Sequence, residues 1–280
     1  MLTSILNGQA VPAHTFIYHR ATDLADAQKV IQQQPQSTNV LLTQPRVPAP
    51  YPVTSGLQLD LRNLNLSYIR SKSGQIEIGA STTLQDLADA PLLSNRKNGI
   101  VATAALMCTH YGLRNLACAG GAAIASDGPP DLQLAWLILD AQTHWDNGAV
   151  TPVGTHSPAG ASFPIQISYA DTAASAALHA VRRTPRDEAI VAVAASLQIQ
   201  GSQVTRARIA ICGVENAPAR CTAAELVLTG KPLTTANIAH AAAAAAATPG
   251  SRSDYRGSSM YRHAMASVLT QRALESLASN

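Results

Sequence analysis

The stretch IVAVAASLQIQGSQVTRARIAI, Ile190 to Ile211, decides the architecture of the second half of this chain. Ile190 to Ile199 alternates as a strand does, and so does Val204 to Ile211. Between them Gly201-Ser202 is a hairpin-turn signal. Three helices are expected downstream, over Thr222 to Leu228, Thr235 to Ala247 and Tyr261 to Leu277. A hairpin followed by helices is an α+β pattern.

The first half reads differently. Residues 14–33 give a short strand at Phe16, Ile17 and Tyr18. A helix follows, capped by Thr22 or Asp23, with Leu24, Ala27, Val30 and Ile31 at helical spacing. Val40, Leu41 and Leu42 form a buried-strand run. Thr43 to Pro52 then holds Pro45, Pro48, Pro50 and Pro52, and proline has no backbone donor, so an extended loop is expected. Leu57 to Leu61 and Ile76 to Gly79 are further strands. Ser81 or Thr82 should cap a helix through Leu84, Leu87 and Leu92. Ile100 to Tyr111 reads as an amphipathic helix carrying His110. Ala117 to Ala125 reads as a small-residue loop, and Asp131 as the start of a helix through Leu134, Ala135 and Leu137. Asp146 to Ser162, rich in Gly, Pro, Thr and Ser, reads as a loop or linker. The change of character near residues 165–185 divides the chain into 1–170, a two-part α/β region, and 171–280, a small antiparallel sheet with helices.

Composition excludes several classes. Charged residues are 13% and aromatics 4%, with net charge +3 and no dense basic run, so a nucleic-acid surface is not expected. The low charge fits either a surface partly covered by partner subunits or a surface built from neutral polar groups. No apolar run reaches membrane-spanning length. Met1 to Ala10 lacks the basic start and long apolar centre of an ordinary signal peptide, which points to the cytoplasm; export on a partner's signal stays open. Cys108, Cys118, Cys212 and Cys221 include no C-x-x-C pair, so buried reduced thiols are expected rather than metal or cluster ligands. The histidines have no H-x-x-x-H partner, and Ser126-Asp127-Gly128 lacks the flanking pattern of a nucleophile elbow. Asp254 to Arg262, with Arg256 and Arg262, reads as a salt-bridged loop anchoring the last helix, with a subunit contact as the alternative.

Several short segments together carry a family resemblance. Arg186-Asp187-Glu188-Ala189-Ile190, Ala207-Arg208-Ile209-Ala210, Gly213-Val214 and Pro218-Ala219-Arg220 come first. Gly230-Lys231-Pro232-Leu233-Thr234 and Asp254-Tyr255-Arg256-Gly257-Ser258 with Tyr261-Arg262 follow in order. Upstream, Tyr18-His19-Arg20-Ala21-Thr22, Asp60-Leu61-Arg62 and Ile78-Gly79-Ala80-Ser81-Thr82-Thr83 join them. Over nearly its whole length the chain resembles the FAD-binding medium subunit of molybdenum hydroxylases, the group of carbon monoxide dehydrogenase and xanthine dehydrogenase. The resemblance implies FAD between two α/β subdomains (the PCMH-type fold) and a C-terminal domain of carbon monoxide dehydrogenase flavoprotein type. It also implies a large partner subunit with the molybdenum cofactor and a small one with two [2Fe–2S] clusters. In that family FAD relays electrons from the clusters to an acceptor, and substrate chemistry lies elsewhere, so no independent catalytic activity is expected here.

The flavin motifs are altered. Where the family has small-Gly-Gly-x-Ser/Asp, this chain has Thr43-Gln44-Pro45-Arg46-Val47. Proline offers no N–H to a pyrophosphate. The family's R-N-x-G-T-I-G-G-N is matched by Arg114-Asn115-Leu116-Ala117-Cys118-Ala119-Gly120-Gly121-Ala122. Both glycines remain, but Cys118 and Ala122 replace polar residues. Asp127 and Asp131 match acidic family positions, and Asp131 also reads as a helix N-cap. The candidate cofactor residues are thus Arg114, Cys118, Ala119, Gly120, Gly121, Ala122, Asp127 and Asp131. The resemblance implies either a modified FAD site or a flavin-free subunit kept for assembly.

Overall fold

The structure is a computed structural model, and it describes residues 5–6, 9–10, 16–33, 38–40, 56–95, 99–108, 110–124, 129–155, 162–172, 174–184 and 187–279. The proline loop Thr43 to Pro52, the end of the strand expected at Leu41-Leu42, and Asp127 lie outside these residues.

The chain opens with a two-stranded antiparallel ribbon, β1 (Ile5–Leu6) and β2 (Gln9–Ala10). A parallel sheet follows, from β3 (Phe16–Arg20), β4 (Thr38–Val40) and β5 (Gly56–Asp60), in the order β3-β5-β4. Helix α1 (Leu24–Gln33) crosses between β3 and β4. Its start is closed reciprocally: Asp26 N–H donates to the Asp23 carboxylate at 2.9 Å, and Thr22 N–H donates to the Asp26 carboxylate at 2.9 Å. Ala27 and Ile31 are its buried face, packed with Leu59, Leu61 and Phe163.

The second layer is an antiparallel sheet of β6 (Ile69–Lys72), β7 (Gln75–Gly79), β8 (Gln142–Trp145), β9 (Val150–Pro152) and β10 (Pro164–Ala170), ordered β6-β7-β10-β8-β9. Between β7 and β8 the described residues form six helices: α2 (Leu84–Asp89), α3 (Pro91–Ser94), α4 (Ile100–Met107), α5 (Tyr111–Arg114), α6 (Ala119–Ile124) and α7 (Pro130–Ile138). Several expectations are corrected here. Thr83, not Ser81 or Thr82, caps α2, in a capping box with Asp86. That helix stops before Leu92 because Pro91 holds Ala90 extended (ψ 116°) and starts α3. The helix expected to reach Tyr111 ends at Met107, since Cys108 turns extended. His110 lies on no apolar helix face but accepts from Leu113 N–H as the cap of α5. The last part of the small-residue loop is helix α6. Asp146 to Ser162 is not all linker, because β9 returns as a hairpin on β8.

The third layer is β11 (Ser175–Val181), β12 (Val191–Gln200), β13 (Gln203–Cys212) and β14 (Ala219–Arg220), in sequential antiparallel order. The hairpin turns at Gly201–Ser202 as expected. Helices α8 (Thr222–Leu228), α9 (Thr235–Ala246) and α10 (Ser259–Ala278) follow; α10 starts two residues before Tyr261, where the Ser258 hydroxyl accepts from Tyr261 N–H. One face of β12, Val191, Val193, Ala195 and Leu197, packs on these helices with Leu269 and Leu274. The other face, Ala192 and Ala194, packs with Ala210 and Cys212 in one core with Leu134, Ala135 and Ile138 of α7. The sheet is therefore buried on both faces, and α7 ties the two halves of the chain together. The α+β reading holds.

Arg262 anchors α10, as the sequence implied. It is fully buried, donating to Gly257 O (3.1 Å), Ile190 O (2.5 Å), Gly213 O (2.9 Å) and Asp254 Oδ1 (2.6 Å). Gly213 has φ +90°, and a Cβ there would sit 2.1 Å from Ile190 O, so only glycine lets that strand end approach.

Candidate functional site

The segment resembling the second flavin loop is built against the turn that follows β7. Leu84 N–H donates to Ala117 O at 3.0 Å, Ala119 N–H to Thr82 O at 2.8 Å and Gly120 N–H to Ala80 O at 2.8 Å. An isolated bridge joins Thr83 and Cys118. Gly120 is required by this packing: a Cβ there would lie 2.8 Å from Ala80 Cβ and 2.9 Å from Ala80 O. Ala122 N–H closes the first turn of α6 on Cys118 O at 3.0 Å. Of the N–H groups from Ala119 to Ala122, only that of Gly121 has no hydrogen-bond partner among the described residues. Cys118, Ala119, Gly120, Gly121 and Ala122 are all buried, and their side chains bring no strong donor.

A dinucleotide's pyrophosphate needs several converging donors. Two of the loop's amides are engaged by Ala80 and Thr82, and Ala122 offers a methyl group. Arg114 Nε donates to Gln85 Oε1 (2.9 Å) and its Nη1 to Leu106 O (3.2 Å), tying α5 to α2 and α4. Among the described residues, the loop's backbone is held in shape by Ala80 and Thr82, and its side chains add no strong donor.

Asp131 is placed elsewhere. It is in the first turn of α7, whose N-cap is Pro129, so the N-cap reading is corrected. Its carboxylate is buried and paired with Arg182, just after β11. Burial raises its pKa against the opposing pull of the Arg182 guanidinium. Arg182 also donates to Asp187 O, and this pair joins α7 to the third layer rather than to the 118–122 loop. Asp60, in the matching Asp60-Leu61-Arg62 segment, ends β5 with its carboxylate held by Arg62 Nε (2.8 Å), Arg62 N–H (2.9 Å) and the Tyr18 hydroxyl. Those hydrogen bonds, Arg62's first, hold its pKa far below the usual range despite its burial.

Sequence reading missed a second charged cluster. Asp140 closes α7 in the left-handed region (φ 49°) and receives Arg206, Arg208 (2.9 Å) and Arg220 (2.7 Å). Arg220 continues to Glu225, whose carboxylate also accepts Ile209 N–H at 2.9 Å. The two-residue spacing of Arg206 and Arg208 was the signal that both face one side of a strand. All four cysteines are reduced and buried, as expected; burial pushes the Cys212 thiol up to about 12. Among the described residues, no group of His, Cys, Asp and Glu could hold a metal ion, and no helix is long and apolar enough to cross a membrane.

Comparison with known proteins agrees with this architecture. Residues 14–152 match the FAD binding domain in molybdopterin dehydrogenase, and residues 176–277 match the CO dehydrogenase flavoprotein C-terminal domain. The chain is 27% identical to the carbon monoxide dehydrogenase medium chain of Afipia carboxidovorans, covering 93% of this chain and 96% of that one. It is 25% identical to the glyceraldehyde dehydrogenase medium chain of Sulfolobus acidocaldarius, over 79% of this chain and 82% of that one. In fold it superimposes on carbon monoxide dehydrogenase from Hydrogenophaga pseudoflava with a TM-score of 0.82, 23% identity and coverage of 94% and 97%. Quinoline 2-oxidoreductase from Pseudomonas putida 86 gives 0.82, 22%, 95% and 97%. With both domains matched in this order along the chain, it belongs to the FAD-binding medium-subunit family of the molybdenum hydroxylases.

Proposed function

We propose that this chain is the medium subunit of a molybdenum hydroxylase complex, with a weakened flavin site. Its partners in this reading are a large subunit carrying the molybdenum cofactor and a small subunit carrying [2Fe–2S] clusters. The observation that carries the weakened site is the 118–122 loop: its Ala119 and Gly120 amides are engaged within the fold, and Ala122 replaces a polar side chain. The altered first loop, Thr43 to Val47, adds to it. The cores around the loop are intact, and this favours a second reading: a flavin-free subunit that serves assembly and docking. We place the division of domains at residues 170 and 171, supported by β10 ending one sheet at Ala170 and β11 opening the next at Ser175. We place the protein in the cytoplasm, where buried thiols stay reduced.

Magnitudes make the flavin proposal testable. A hydrogen bond to a charged group contributes about 1.5–3 kcal/mol, and about 1.4 kcal/mol is tenfold in affinity. Losing two or three such contacts lowers FAD affinity by several powers of ten. Titrating FAD calorimetrically into the isolated chain tests this. Ala122→Asn should recover little, and a Gly-Gly-x-Ser loop grafted over Thr43 to Val47 should recover more. Sub-micromolar binding by the unaltered chain would overturn the weakened site, while leaving the family assignment in place.

A further inference from the structure

A cleft of about 260 Å³ opens between the second and third layers, where α7 ends and the facing sheet turns polar. Along one face of β12 and β13 the residues run Ala192, Ala194, Ser196, Gln198 and Cys212, Ala210, Arg208, Arg206. The alanines and Cys212 pack in the core with α7, whereas Ser196, Gln198, Arg206 and Arg208 line the cleft. Asp140, Gln142 and Ser168 line the opposite wall.

The charge does not balance. Arg206, Arg208 and Arg220 converge on Asp140, and Glu225 answers Arg220 from the other side. Within this cluster two carboxylates face three guanidinium groups, two of which line the cleft, so one positive charge is left over. Arg206 engages Asp140 through Nη2 alone, and Arg208 uses Nε on Asp140 and Nη1 on Ala207 O. Guanidinium has five N–H donors, so both keep donors to spare. A second observation is independent of charge. Ser196 is 5% exposed overall and lines the cleft, and its hydroxyl has no hydrogen-bond partner among the described residues. Ser168 is equally buried, but its hydroxyl is held by His144 at 2.7 Å. A hydroxyl open to the cleft beside spare guanidinium donors is matched by an acceptor-rich ligand.

We propose that this interdomain cleft binds a small oxyanion, a phosphate or carboxylate group, through Arg206, Arg208 and the Ser196 hydroxyl. The volume limits the ligand to a small one, below the usual range of pockets for drug-sized molecules. The site is distinct from the 118–122 loop and does not depend on flavin binding. Because it spans β12, β13 and the end of α7, an oxyanion there bridges the two halves of the chain.

Calorimetric titration of the full chain with inorganic phosphate, and separately with malonate, at constant ionic strength in chloride, tests the proposal. The two anions distinguish a phosphate from a carboxylate site. Saturable binding of at least one is expected, weakened about tenfold or more in Arg206→Gln and in Ser196→Val, the effect of one charge-assisted hydrogen bond. Arg70→Gln, which removes an arginine paired with Glu77 outside the cleft, should bind as the unaltered chain does. Circular dichroism establishes that each variant folds. If Ser196→Val fails to fold, the partly exposed Arg206 still gives the answer. No saturable binding of either anion, or equal binding by the unaltered chain and the folded cleft variants, would overturn the proposal.

Discussion

Replacing Arg262 by methionine should be among the most destabilising single changes in this chain. Methionine keeps much of the side chain's length and removes every donor. The carbonyls of Ile190, Gly213 and Gly257 then lose the guanidinium, and two of those hydrogen bonds are buried. A buried acceptor left without a partner costs about 1–3 kcal/mol. Asp254 suffers less, because it is partly exposed and keeps the N–H groups of Arg256 (2.9 Å) and Gly257 (3.3 Å). Partial relaxation and water entry reduce the simple total, which leaves about 3–5 kcal/mol, the range for breaking a buried ionic network. That is a large part of the 5–15 kcal/mol or so by which a domain is stable. Arg262→Lys should recover less than half, because one ammonium cannot serve four acceptors held in a fork. Urea unfolding followed by circular dichroism measures the loss. A change below about 1 kcal/mol in Arg262→Met, with the urea slope unaltered, would refute the view that this side chain anchors α10.

Gly120→Ala should cost about 1–3 kcal/mol by overpacking, because its methyl would meet Ala80 at 2.8 Å; urea unfolding checks it, and a neutral result would mean the loop yields. Arg182→Met leaves the Asp131 carboxylate buried without its partner and should destabilise by about 3–5 kcal/mol, whereas Asp131→Leu combined with Arg182→Met should cost much less, which a double-mutant cycle resolves. Asp140 resists protonation, since burial, which raises its pKa, is outweighed by Arg208, Arg220 and Arg206. Its folded pKa lies below the unfolded value, so its contribution is complete above the ordinary aspartate range near about 3.9 and is lost as pH falls through the folded value. Thermal melts across that acid range should therefore converge for the unaltered chain and Asp140→Asn, after differing at neutral pH.

The legible parts of this fold were those with local signals. Helices α8 and α9 and the β12–β13 hairpin carry their own periodicity, caps and turn, and they came out within a residue or so. The strands β6, β8, β9, β10 and β11 were not anticipated. Gln142 to Trp145 is short and polar, and Ser175 to Val181 is rich in alanine, so neither has a strand signature of its own. Sheet pairing supplies it: β10 is held between β7 and β8. Helix α6 was hidden because two glycines read as a loop, whereas burial against Ala80 overrides their low helix propensity. The candidate site was legible as a motif and not as geometry. Nothing near Asp131 in sequence announces Arg182, and nothing near Asp140 announces Arg206, Arg208 and Arg220, because these partners lie far along the chain, Arg206, Arg208 and Arg220 on strands of the third layer and Arg182 just after one. Likewise the sequence showed that Gly120 was retained, but only the packing shows that Ala80 requires it.

Native mass spectrometry of the complex purified from source cells under gentle conditions tests the central account most directly, because one spectrum reads both partners and flavin. The account predicts this chain in assembly with two other subunit types, of molybdenum-cofactor and [2Fe–2S] kinds, with FAD absent or present on a minor fraction of complexes. A free monomer or homodimer alone would contradict the subunit reading, and one FAD on every copy of the chain would contradict the weakened flavin site.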